Sequence, residues 1–312
     1  MATRKKKAQN SQSLTLFSDE SQIEDEVAEP ALPKGSKYEP DEADGLPREI
    51  VGSWVKDKHL RLARYVYISG VGVRKKWLKN GPAGATYIEL FSGPGRVRIK
   101  GTAEVLDGSP LLAWKTAVEA QAPFSSVFVA DANADLCSAP ATRLATLNAP
   151  VKPHVGEALT VVDSVIAALN PYALHLAFLD PYGLEGLPFV LIQKLAKLEH
   201  MDILMHISVQ DLNGNLRKYI DMQVSPLDQF APKWRSLVDV SRDDKLVRGK
   251  IFEHWRGLLR TIGMQTAEAA ELVSADGNQP LYWLAFVARH SRALAFWEKV
   301  RDLKGQGALH AA

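Results

Sequence analysis

Beyond Asn80-Gly81-Pro82 the chain alternates apolar runs of strand length with stretches of helical periodicity, and this alternation most limits the folds open to it. Strands separated by helices bury their apolar faces most simply in a parallel sheet covered by helices on both sides. The runs Thr86 to Phe91, Ser126 to Asp131, Val151 to Val155, Leu174 to Asp180 and Asp202 to Ser208 are expected as strands. The intervening segments Ser109 to Ala120, Ala134 to Leu147, Ala158 to Leu169 and Pro188 to Leu198 are expected as helices. Further on, Gln265 to Ser274 and Leu281 to Arg289 flank the turn formers Asp276-Gly277-Asn278, which predicts an antiparallel hairpin before a closing helix from Ala293 to Leu303. The expected class is α/β, with a mostly parallel seven-stranded sheet and a reversed last strand.

The flanking segments divide by charge. Residues 1–45 carry ten Asp/Glu against six Lys/Arg and few large apolar side chains, too little burial to offset the entropy of ordering, so a disordered tail is expected there. The Thr3 to Lys7 run is assigned no function. Residues 46–80, the start of the folded domain at 46–312, carry nine Lys/Arg against two Asp/Glu, with apolar residues at roughly helical spacing. They read as basic amphipathic helices. The charged face is either solvated or grips phosphate; in the second case Lys58, His59, Arg61, Arg64, Arg74 and Lys75 contact substrate. The segment 211–256, interrupted by Pro226 and Pro232, reads as an irregular insertion on the rim. A single cysteine, Cys137, and the lack of a signal peptide or apolar run of spanning length suit a cytoplasmic protein with no membrane association. The net charge of +2 alone does not advertise a nucleic-acid binder.

In an open α/β sheet the ligand lies beyond the carboxyl ends of the strands, so residues there carry the functional expectation. The first strand runs into Glu89-Leu90-Phe91-Ser92-Gly93-Pro94-Gly95, where glycines let backbone approach a ligand and Glu89 is placed to hold a cationic amine. A purely structural turn is the competing reading. Asp131, ending the second strand, suits both hydroxyls of a ribose, in NAD or in S-adenosylmethionine alike; helix capping by Asp131 or Asn133 is the alternative. Glu157 either accepts from an adenine amino group or favours a helix N-terminus, and His154 reads as structural. Glu89, Phe91, Gly93, Gly95, Asp131 and Glu157 are thus the candidate cofactor residues. The first loop lacks the third spaced glycine of nicotinamide enzymes, which favours S-adenosylmethionine.

Asp180-Pro181-Tyr182-Gly183, closing the fourth strand, is the most discriminating motif. The lone pair of an exocyclic amine is delocalised into its ring, so an enzyme that alkylates it must hold the NH₂ with acceptors that favour pyramidal nitrogen. Asp180 and the Pro181 carbonyl supply two acceptors, and Tyr182 a face on which a flipped base could stack. A turn-forming Asp-Pro with a core Tyr is the bland alternative. No metal-ligand spacing and no serine or cysteine nucleophile motif is evident.

This combination resembles the three-Cys-motif partner proteins of bacteria and phages. The resemblance runs from about Trp54 to Trp297, through Lys58-His59, Tyr87 to Gly95, Gly108-Ser109-Pro110-Leu111, Phe178 to Gly183, Asp202-Ile203-Leu204 and Tyr282 to Phe286. It implies a Rossmann-like methyltransferase fold and a partner protein with a metal-binding cysteine motif. Glu89 and Ser92 stand where Asp and Ala are more usual in the family. The Asp-Pro-aromatic-Gly segment is also similar to that of tRNA guanine-N2 methyltransferases. The function expected is S-adenosylmethionine-dependent methylation of an exocyclic amine in DNA or RNA. The alternative is a non-catalytic adaptor for a cysteine-motif metalloprotein, in phage-related defence.

Overall fold

The computed structural model describes residues 37–267, 271–274 and 280–301. The chain enters through β1 (Tyr38–Pro40) and β2 (Pro47–Val51), then α1 (Val55–Ser69), a π turn at Gly70–Arg74, and α2 (Lys75–Asn80). Next come β3 (Ala85–Glu89), β4 (Arg96–Ile99), β5 (Val105–Asp107) and α3 (Ser109–Glu119). From there β6 (Ser126–Asp131), α4 (Ala134–Thr146), β7 (Val151–Val155), α5 (Ala158–Ala167), β8 (Leu174–Leu179), α6 (Phe189–Leu195) and β9 (Met201–Ser208) alternate as the sequence predicts. Then follow α7 (Val209–Asp221), α8 (Pro226–Phe230), α9 (Asp244–Thr261), β10 (Gln265–Thr266), β11 (Glu271–Ser274), β12 (Pro280–Ala288) and α10 (Ser291–Arg301).

The main sheet has the order β7-β6-β3-β8-β9-β12-β10, with β11 also paired to β12. The five strands from β7 to β9 are mutually parallel, and β12 runs antiparallel to β9. Because β10 pairs with the end of β12 and β11 with its beginning, the two divide one edge position, giving seven positions in the sheet. The last strand is therefore the reversed one, inserted between the fifth and the split sixth. This is a Rossmann-like methyltransferase fold. The Asp276-Gly277-Asn278 turn lies outside the described residues.

Successive strand residues face opposite layers, as the pleat requires. Tyr87 belongs to one apolar cluster with Leu62, Tyr65, Leu111, Phe286 and Trp297 on the side of α1, α3 and α10, whereas Ile88 belongs to another with Val162, Ile192, Leu212 and Trp255 on the side of α5, α6, α7 and α9. Among the described residues no helix is long and apolar enough to cross a membrane.

The expectation of a disordered tail to residue 45 fails at its end, because Tyr38–Pro40 and Pro47–Val51 join β4 and β5 in a second sheet of order β1-β2-β4-β5. Residues 1–36 lie outside the described residues. The acidic charge that suggested disorder has partners here: Glu39 accepts from Arg48 at 2.7 Å and from Arg98 at 2.8 Å, and Arg143 grips both oxygens of Asp44 at 2.7 Å. The segment 46–80 accordingly begins as a strand and becomes helical only at Val55. The segment 211–256 is largely helical. Val247, Ile251, Trp255 and Leu259 recur every fourth residue and bury one face of α9, while Pro226 opens α8 behind a Ser225 capping box instead of breaking a helix.

Candidate active site

The strand order reverses between β3 and β8, so their carboxyl ends diverge from the flanking loops and leave a crevice. A cleft of about 1200 Å³ opens there, reached by the ends of β3, β6, β8 and β9 and by α1 and β2.

On one side lies the glycine loop. Gly93 has φ +52° and donates its N–H to Asp131 Oδ2 at 3.1 Å. A Cβ there would meet nothing nearer than Glu49 Oε2 at 3.8 Å, so its bare face opens to the cleft. Gly95, at φ +76°, differs: a Cβ would press to 2.8 Å on Pro140 and 2.9 Å on Leu111, so it lets α3 and α4 close on the loop. Ser92 Oγ is buried in the lining without a hydrogen-bond partner among the described residues. Asp131 also accepts from Asn133 N–H at 3.0 Å, while Asn133 caps α4, which leaves Asp131 free of the capping role. Burial pushes the Asp131 carboxyl up, and these backbone donors oppose it. Phe91 is half-buried in the lining, and Glu157 is exposed at the rim with no side-chain cap bond to α5.

Glu89 departs from expectation. It is fully buried and does not reach the cleft; Tyr87 Oη donates to it at 2.7 Å and Ser109 Oγ donates to its other oxygen. Burial pushes its carboxyl up to about 8, against those two donors. A carboxyl turned into the core and neutral at pH 7 cannot hold a cationic amine; it ties β3 to the start of α3.

On the other side lies the Asp180 cluster. Asp180 Oδ2 accepts from Lys58 Nζ, and Oδ1 accepts from His206 Nδ1 at 2.7 Å. Burial would raise this carboxyl, but Lys58 and His206 overcome it and hold it well below the usual carboxylate range. The His206 ring stands edge-on to Tyr282 at 4.2 Å between centroids. His59 shares the lining, its ring pushed down to about 3 by burial and the Lys58 charge. Pro181 is buried and Tyr182 is 72% exposed. The face of Tyr182 is not vacant: Lys37 Nζ sits 3.0 Å from the ring centroid, and the hydroxyl meets Tyr38 Oη at 2.8 Å and Glu49 Oε1 at 3.1 Å. The Gly of this motif has a packing reason, since a Cβ on Gly183 would come within 2.9 Å of Asp211 Oδ2. That oxygen accepts the Leu184 N–H at 2.8 Å, so α7 clamps the loop.

Of the residues expected to grip phosphate, only Lys58 and His59 reach the cleft. Arg61 is buried against Asp57. Arg74 is buried in the π turn, donates to Ala122 O at 2.7 Å and Val66 O at 3.0 Å, and lies over the Phe124 ring; burial pushes its guanidinium down to about 10. Lys75 bonds Gln121 at 2.6 Å, and Arg64 is half-buried outside the cleft. Arg61 and Arg74 do not belong to a phosphate-binding face, because a charge on the core side of a helix must find its partners inside. The sequence reading missed Lys37, Tyr38, Glu49, His206 and Asp211. Only His206 carried a signal, as a titratable side chain near the end of an apolar strand.

No family model and no curated protein matches the chain. Among solved structures it is similar to a Legionella pneumophila protein, with TM-score 0.46 and 11% identity over 80% of this chain and 91% of that one. It is also similar to the N-methyltransferase NodS of Bradyrhizobium japonicum in complex with S-adenosyl-L-homocysteine, with TM-score 0.40 and 10% identity over 77% of this chain and 89% of that one. The O-methyltransferase TomG of Streptomyces achromogenes, in complex with SAM, gives TM-score 0.40 and 13% identity over 72% of this chain and 79% of that one. The fold assignment rests on the strand order, and the reading of the site on its own geometry.

Proposed function

We propose that this chain transfers a methyl group from S-adenosylmethionine to an exocyclic amino group of a nucleic-acid base. The observation that carries the reading is one continuous cleft lined both by Ser92, Gly93 and Asp131 and by Asp180, Tyr182 and His206. At about 1200 Å³ it exceeds the roughly 300–1000 Å³ that a single small ligand needs. It has room for a cofactor and an acceptor group together.

The residues fit the cofactor. The open face of Gly93 admits close backbone approach, Ser92 Oγ lacks a partner among the described residues, and Asp131 keeps lone pairs for ribose hydroxyls beyond the two it spends on N–H groups. Glu157, exposed at the rim, would accept from the adenine amino group. When bound, the cofactor supplies an electrophilic methyl carbon on a sulfonium. The protein's part is to orient the acceptor: each Asp180 oxygen has one lone pair left, and the Pro181 carbonyl is the second acceptor for the NH₂.

A second reading, an adaptor for a cysteine-motif protein, draws on Lys37 covering the Tyr182 ring that a base would use. Calorimetry with S-adenosylmethionine, its demethylated product and NAD, followed by labelled-methyl transfer to bulk DNA and RNA, separates these. Binding of the first two but not NAD, with label in nucleic acid, is expected. Cofactor binding with no label, even when lysate supplies a partner, would favour the adaptor.

A further inference from the structure

We infer that His206 is the catalytic proton acceptor of this site, held in one tautomer by Asp180 and aimed into the cleft; this rests on the methyltransferase reading. The motif-bearing residue cannot do that work itself. Asp180 accepts from Lys58 on one oxygen and from His206 on the other, and a carboxylate so held has little affinity for a further proton. His206, by contrast, lies on β9 with its side chain in the cleft lining beside Asp180 and Tyr182.

The tautomer follows from the partner. An ionised carboxylate only accepts hydrogen bonds, so the nitrogen that meets Asp180 Oδ1 at 2.7 Å, Nδ1, carries the hydrogen. In its neutral form the ring then presents a lone pair at Nε2, which has no partner among the described residues. The ring is fixed from several sides: Asp180 at the end of β8, Lys58 behind that carboxylate on α1, and Tyr282 of β12 edge-on at 4.2 Å. His59, also on α1, is the other imidazole in the lining, but burial and Lys58 hold it neutral to about pH 3.

The balance of the step is simple. The acceptor nitrogen's lone pair forms the new N–C bond as the S–C electron pair leaves with the sulfur. The N–H proton of the alkylated amine passes to His206 Nε2, and the imidazolium, hydrogen-bonded to Asp180, later releases that proton to solvent. Asp180 and Lys58 act on this proton through His206 and are positioning residues for it.

Two measurements test the assignment. In wild-type protein labelled with ¹⁵N-histidine, His206 should show the Nδ1–H tautomer; the Nε2–H form, which ordinarily prevails in water, would overturn the proposal without reference to any acceptor. Second, His206→Asn keeps a donor toward Asp180 but removes the base. With labelled S-adenosylmethionine and bulk RNA or DNA, its kcat should fall about 10²- to 10⁴-fold while its cofactor Kd stays within about threefold of wild type. A kcat within about threefold of wild type sinks the proposal. A wild type that binds cofactor but labels no nucleic acid marks failure of the underlying reading, and the proton role falls with it. Should His206→Asn fail to fold, the tautomer in wild type decides.

Discussion

Gly93 and Gly95 both have positive φ, yet substitution should separate them. Gly93→Val adds atoms into open space, so its cost is backbone strain of roughly 1–2 kcal/mol and a blocked cofactor face. Gly95→Ala drives a methyl into Pro140 and Leu111 and should lower the melting temperature more than Gly93→Val does. Thermal denaturation beside calorimetry distinguishes them; unimpaired cofactor binding by Gly93→Val refutes the assignment of that face. Asp131→Ala should raise the cofactor Kd about 10- to 100-fold, roughly 1.4–2.7 kcal/mol, with folding intact. Glu89 predicts a pH effect. Its folded-state carboxyl titrates near 8, above the ordinary 4.5, so the neutral form favours the native state. That contribution is fully present below about pH 4.5 and is lost as pH rises through about 8, on the order of several kcal/mol. Half-buried Asp202, its carboxyl pushed up to about 7 by desolvation, acts in the same direction. Glu89→Gln should therefore gain stability relative to wild type between pH 6 and 9, and parallel melting curves across that range would contradict the burial argument.

At the level of elements, the β/α alternation was legible because apolar runs and helical periods compete little with tertiary context, and β3, β6, β7, β8 and β9 fall within a residue or two of the expected strands. What escaped depended on partners distant in sequence. The acids of residues 39–44 looked like a solvated tail because Arg48, Arg96, Arg98 and Arg143 are not their sequence neighbours, apart from the first. The basic helix was read for its charge, but Arg74 points into the core, where the π turn turns it toward Ala122 and Val66 carbonyls. Arg74→Ala should thus cost roughly 2–4 kcal/mol of stability by leaving buried acceptors unpaired, with no change in the salt dependence of nucleic-acid binding. A loss of about one unit of log–log salt slope without destabilisation would restore the phosphate role. In the candidate site, Asp180, Tyr182, Gly93 and Asp131 were readable at strand ends, whereas Lys37, Glu49 and Asp211 arrive from other layers and leave no local pattern.

Over the whole molecule, the small sheet and the main sheet meet at Arg143, whose guanidinium reaches Asp44, the Pro47 carbonyl at 2.8 Å and the Pro94 carbonyl at 2.6 Å. Arg143→Ala should cost roughly 3 kcal/mol and weaken cofactor binding as well, since Pro94 belongs to the glycine loop; unaltered affinity in a destabilised variant would uncouple the two sheets. The placement of β12 has its own consequence. It fills an interior position, paired with β9 from Tyr282↔Ser208 to Ala288↔Asp202, although its residues are made some eighty positions later. A ribosome adding roughly 5–20 residues per second therefore leaves the edge of β9, with Ile203, Met205 and Ile207, bare for several seconds on every nascent chain. His206 likewise waits for Tyr282 before its ring is held from both sides. Solubility during synthesis, and with it demand for chaperones, is set by a strand that emerges after every other part of the sheet.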